Sequence, residues 1–194
     1  MTHPALGLIE TSTIVAGIEV ADALAKRAPV VLRRLFTLTP GKMVILFAGD
    51  EAAVEESFSR GLEVAGGALL DSLYLPGVEP RVTEALLAGG VRADLAGASL
   101  GAVETTTIAA CALACDGALK AAHVELVEMR LRRELGGKGY FLICGEHSQV
   151  EAALEAAVAR LGEGSQKMLA GTLIIPRPHE DMVRELLAAN EGSI

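Results

Sequence analysis

The apolar positions of the first 88 residues alternate between two patterns: short unbroken runs, and residues spaced three or four apart. Leu6 to Glu10 is a run that reads as a buried strand. Ile14, Ile18, Ala21 and Ala25 follow at helical spacing and predict a helix over roughly residues 13–28, capped by Ser12 or Thr13 and stopped by Pro29. Val30 to Leu38 and Met43 to Ala48 are two further strands joined at Pro40-Gly41. That pair suits a tight turn, because proline presets φ and glycine accepts a positive one. Asp50-Glu51 puts acid at the start of the next helix, whose Val54, Phe58, Leu62 and Ala65 step by three or four until Gly66-Gly67. Leu69 to Leu75 predicts a last strand closed by Pro76-Gly77, and Arg81 to Leu87 a short helix.

The succession then returns. Ala5-Leu6-Gly7-Leu8-Ile9-Glu10-Thr11 lies over Ser99-Leu100-Gly101-Ala102-Val103-Glu104-Thr105 at an offset of 94 residues. Asp22 meets Asp116, Lys26 meets Lys120, Gly41-Lys42 meets Gly137-Lys138, and Leu75-Pro76 meets Ile175-Pro176, with the small shifts in offset falling where loops are expected. A repeat of this length is a duplicated domain rather than a solenoid unit. Each copy reads β-α-β-β-α-β-α, so the fold class is α/β (α+β): two tandem ferredoxin-like domains, each with one extra helix. The expected boundaries are 4–92 and 97–194, with the small, polar stretch Ala88 to Asp94 as the linker.

Composition narrows the function. A net charge of −8 with 3% aromatic residues lacks the basic footprint and stacking platforms that nucleic acid requires. No apolar run reaches the ~18–20 residues that cross a bilayer, so no membrane partner is expected. The N-terminus has no basic region followed by an apolar one, and three cysteines without framework spacing suit a reducing cytosol.

Leu6-Gly7-Leu8-Ile9-Glu10-Thr11, Ala21 to Ala28, Pro40-Gly41-Lys42 and Gly49-Asp50 resemble the bacterial microcompartment (BMC) shell domain. The second copy carries Leu100 to Thr105, Asp116 to Ala122, Gly137-Lys138 and Gly145-Glu146 in the same, unpermuted order, and Ile175 to His179 resembles the final strand and edge turn. The resemblance covers nearly the whole chain, and its tandem form is similar to the trimeric shell proteins of the propanediol-utilisation type. It implies a homotrimer mimicking a hexamer, a structural tile rather than an enzyme. Its partners would be other BMC shell proteins at the tile edges, with small metabolites crossing a central pore. It further implies that Leu38, Thr39, Pro40 and Gly41 with Leu135, Gly136 and Gly137 surround the pore, and that Lys26, Lys120 and Arg177 lie at tile edges. Gly77 stands where the first copy would match Arg177. Relatives of the propanediol type carry a cysteine before the first Pro-Gly, and three such thiolates hold an iron–sulfur cluster in the pore. Thr39 stands there instead, and a hydroxyl is a poor iron ligand, so no cofactor is expected at this place.

Other chemistry weighs less. Cys111 and Cys115 replace Gly17 and Ala21 of the first copy and read as packing thiols, as does Cys144 in a strand. A redox shell protein holding a cluster through these three is the alternative, and a ferredoxin-like ligand sensor is a third reading. His3, His123, His147 and His179 have no zinc spacing. Glu10 and Glu104 suggest paired catalytic carboxylates, but without a nearby nucleophile or base they read better as acceptors for backbone amides at a helix start. Gly41-Lys42 and Gly137-Lys138 lack the rest of a phosphate loop. Arg130, Arg132, Arg133 and Lys138 form either a solvated strand face or a positive collar beside a pore.

Overall fold

The computed structural model describes residues 4–88, 98–130, 136–162 and 165–188. The first copy runs β1 (Ala5–Thr11), α1 (Ile14–Arg27), β2 (Val31–Leu38), β3 (Lys42–Gly49), α2 (Glu51–Ala65), a 3-10 turn (Gly66–Ala68), β4 (Leu69–Pro76) and α3 (Pro80–Ala88). The second runs β5 (Ser99–Thr105), α4 (Ile108–Ala121), β6 (Glu125–Arg130), β7 (Gly139–Gly145), α5 (His147–Arg160), α6 (Ser165–Met168), β8 (Leu169–Ile175) and α7 (Glu180–Ala188). Each copy is one antiparallel sheet, ordered β2-β3-β1-β4 and β6-β7-β5-β8. The expected element order is therefore present twice, with the four-residue α6 as an addition in the second copy.

Helix α1 is capped by the Thr13 hydroxyl, which accepts from the Ala16 amide, and Thr107 caps α4 on Ala110 in the same way. The two equivalent helices nonetheless live in different surroundings. In α1 only Gly17, Val20, Ala21 and Leu24 are buried. Of the residues that carry the helical spacing in the sequence only Ala21 faces the core; Ile14 and Ile18 are 39% and 58% exposed, and Val15 between them is 77% exposed. Their counterparts in α4, Ile108, Ala109 and Ala112, are buried, and α4 is apolar over most of its surface, as suits a helix lying between the two sheets. The first sheet packs Ile9, Ile45 and Phe47 on α1 and α2. Its other face, with Leu6, Leu8, Val44 and Leu46, joins the same cluster as α4, so one core runs through both copies. Among the described residues, the far face of the second sheet has the buried cluster Leu100, Val127, Leu142 and Cys144, packed with Val183 and Leu186 of α7. Beside them, Ala102, Glu104, Tyr140, Gly171 and Leu173 line a groove of about 310 Å³, and Leu173 is 52% exposed.

Close approach fixes one glycine. A Cβ on Gly7 would lie 2.2 Å from Cζ of Phe47, a ring with no exposed surface. Gly7→Ala is expected to lower stability by about 1–3 kcal/mol through overpacking, read as a shift of the urea midpoint with unchanged slope.

Candidate functional site

The two hairpin turns singled out in the sequence lie side by side in one chain. Leu38 pairs with Lys42 across the first, and the Gly41 amide donates to the Leu38 carbonyl at 2.8 Å. The Thr39–Pro40 peptide is cis, so proline occupies the third turn position rather than the second that a simple Pro-Gly turn predicts. Gly41, Gly136 and Gly137 take φ values of 129°, 64° and 97°, which a side chain would oppose. Lys42 Nζ donates to the Gly136 carbonyl at 3.1 Å, tying the first turn to the second. Thr39 and Pro40 are exposed, Gly41 and Gly136 half-buried, and Gly137 buried. Leu38 is buried in the core, 2% exposed, and presents no side chain at the surface of the turn. Leu135 lies outside the described residues.

Below this turn pair is the junction between the copies. Glu10, 1% exposed on β1, accepts the Ala109 amide of α4 at 2.8 Å. A helix-start acceptor was the expectation, but the helix belongs to the other copy, 99 residues away. Asp71, opposite Glu10 on β4, accepts from the Thr107 hydroxyl at 2.5 Å, so both carboxylates meet the positive end of α4. Burial pushes the Glu10 carboxyl up to about 7, against the opposing pull of the Ala109 amide and with a further push from Asp71. Further along α4, buried Asp116 accepts the Glu79 amide at 2.9 Å and pairs with Lys120 at 2.8 Å, while Arg81 donates to the Val124 carbonyl at 2.8 Å. Glu104, the counterpart of Glu10, accepts no helix amide among the described residues and pairs with Lys138 at 3.0 Å, both half-exposed.

The remaining candidates separate. Arg130 is not on a solvated face: it is 8% exposed and paired with Glu128. Arg132 and Arg133 lie outside the described residues, and Lys138 is engaged by Glu104. The three thiols are buried; Cys111 is pushed up to about 12 by burial, and Cys115 is raised well above its ordinary value for the same reason. Iron–sulfur chemistry needs thiolates, and Cys144 belongs to a different cluster from Cys111 and Cys115, so these residues do not fit such a cluster. Among the described residues no three His, Cys, Asp or Glu side chains gather as a metal set. Lys26 is exposed and pairs with Asp22 at 2.7 Å. Arg177 is exposed with φ 54°, and Gly77 holds the matching left-handed position at 58°.

A duplicated sheet-and-helix unit whose copies dock the helix of one on the sheet of the other, with paired turns at one end, defines a tandem two-domain α+β protein. Comparison with known proteins supplies the family. The BMC domain model matches residues 5–78 and again 99–178. The chain is 37% identical over 183 residues to the bacterial microcompartment shell protein PduT of Citrobacter freundii, covering 94% of this chain and 97% of that one. A crystal structure of a microcompartments protein from Desulfitobacterium hafniense DCB, also 37% identical, superposes with a TM-score of 0.81 over 93% of this chain and 98% of that one. A fused, permuted hexameric shell protein of the RMM microcompartment shares the fold at 22% identity, with a TM-score of 0.63 and 80% coverage of each chain. The chain belongs to the BMC-domain shell proteins of bacterial microcompartments, in tandem form, and its role is that of a structural shell component. No helix among the described residues is long and apolar enough to cross a membrane.

Proposed function

We propose that three copies of this chain close into a ring of six BMC domains, a non-enzymatic tile with a central pore for small metabolites. One observation carries this reading: the apolar stripe of α1 and the half-open face of the second sheet are the unmatched halves of the contact that α4 and the first sheet make within the chain. Such a contact joins unlike surfaces, so it propagates head to tail and ends only by closing a ring. Around the axis the ring would alternate Thr39-Pro40-Gly41 with Leu135-Gly136-Gly137, and passage would be set by their diameter and by the backbone groups they present. The test is mass in solution. A trimer at micromolar concentration is expected, and a stable monomer overturns the reading.

Edge contacts between tiles, with other shell proteins as well as with itself, fall in this proposal to Lys26, Lys120 and Arg177. Arg177 supports it through its backbone. A non-glycine residue at φ 54° costs about 1 kcal/mol, and glycine stands in the same conformation in the first copy. Arg177→Gly should leave the melting temperature equal or slightly higher and abolish extended sheets in electron micrographs. Sheets that persist remove Arg177 from the edge.

A further inference from the structure

We propose that the Lys138–Glu104 pair opens when chains assemble, and that each partner moves to the next copy: Lys138 to the Pro40 carbonyl, and Glu104 to the Val15 amide at the start of α1. The proposal rests on the trimer reading and adds to it the groups that close each contact between chains.

The internal junction supplies the template. Lys42 and Lys138 are equivalent, as are Glu10 and Glu104, and each glutamate sits at the same register on its strand, opposite Val44 and Tyr140. Where a second domain is docked, the two do not pair with each other: Lys42 Nζ reaches the Gly136 carbonyl, and Glu10 accepts the Ala109 amide. Where no domain is docked, their counterparts collapse together at 3.0 Å while about half-exposed. The repeat equates Gly136 with Pro40 and Ala109 with Val15. Val15 is the second residue of a helix capped like α4, so its amide has no acceptor within the helix. Docking α1 on the second sheet also covers Val15 and Ile18, which are open in the single chain. The exposed ion pair given up is of little worth in water, whereas the two bonds gained are charge-assisted and shielded.

Double-mutant cycles on trimer dissociation, followed by analytical ultracentrifugation, test the exchange. Glu104→Gln and Lys138→Met are each expected to weaken assembly by about tenfold per contact, and their effects to add apart from the small coupling of the exposed pair in the free chain, because in the trimer they touch different groups. Val15→Pro removes the amide at a helix position where proline is tolerated, and Glu104→Gln should then cost little more. Monomer melting temperatures check that each variant folds. If Glu104→Gln and Lys138→Met prove strongly coupled in the trimer, or if Val15→Pro leaves the Glu104→Gln effect intact, the exchange is overturned while the trimer stands. A wild-type chain that stays monomeric overturns both.

Discussion

Glu10→Gln is expected to remove most of the pH dependence of stability near neutrality. Glu10 holds its proton up to about pH 7 in the folded chain, against 4.5 for an ordinary glutamate. Below 4.5 both folded and unfolded states carry the proton, and the group's contribution is fully present. Between 4.5 and 7 the unfolded chain releases the proton while the folded chain keeps it, so stability falls as pH rises. The whole loss is about 3 kcal/mol, complete once pH exceeds the folded value. The variant keeps a carbonyl oxygen for the Ala109 amide but has no charge to bury, so it should match wild type near pH 4.5 and exceed it by about 3 kcal/mol near pH 8. Urea midpoints of both proteins across that range check the prediction. Parallel pH profiles for the two would mean that Glu10 does not titrate in the folded chain.

The second large effect is a contrast between equivalent positions. Val15→Glu places a carboxylate on a residue 77% exposed in the single chain. It should leave the fold and its melting temperature unchanged and yield only monomers, because the stripe would have to enter an apolar contact with its charge. Ala109→Glu makes the same change at the counterpart, which is 2% exposed at the internal junction. That variant should lose several kcal/mol of stability or fail to fold. Size-exclusion chromatography with light scattering, beside calorimetry, reads both. A trimeric Val15→Glu protein would move the chain contact away from α1.

The repeat and the strand and helix order could be read from the sequence because each element carries its own period and its own stop. Thr13, Pro29 and Gly66 act locally, whatever lies above them. The facing of α1 could not be read in the same way. It has apolar residues on two sides, Ile14 and Ile18 on one and Val20 and Leu24 on the other, and spacing alone does not rank them. The buried side is chosen by Gly17, which lets the helix sit close over Met43 of β3: a Cβ there would come within 2.6 Å of the Met43 Cβ. The acceptor role of Glu10 followed from residue type, but its donor is 99 residues distant and enters only when the copies dock. The surroundings of Arg130 are hidden in the sequence for a related reason. Charge density along the chain does not reveal that Glu128, on the same strand, neutralises it out of water.

The unequal chemistry of the two kinds of junction has a consequence for a ring of three chains. Opposite Glu10 the strand register sets Asp71, a second acid; opposite Glu104 it sets Gly171. The junction crowded with carboxylates, whose grip slackens as the surroundings turn alkaline, is the one whose two sides belong to a single polypeptide. A covalent tether holds those sides at an effective concentration of order millimolar, so losing some affinity there relaxes the contact without releasing a partner. Contacts between separate chains in such a ring would have no tether, and they would carry one acid fewer. In a ring of three such chains, fusing two domains would put the more acidic kind of seam inside each polypeptide and leave the less acidic kind between chains, a division unavailable to a tile made of six identical subunits.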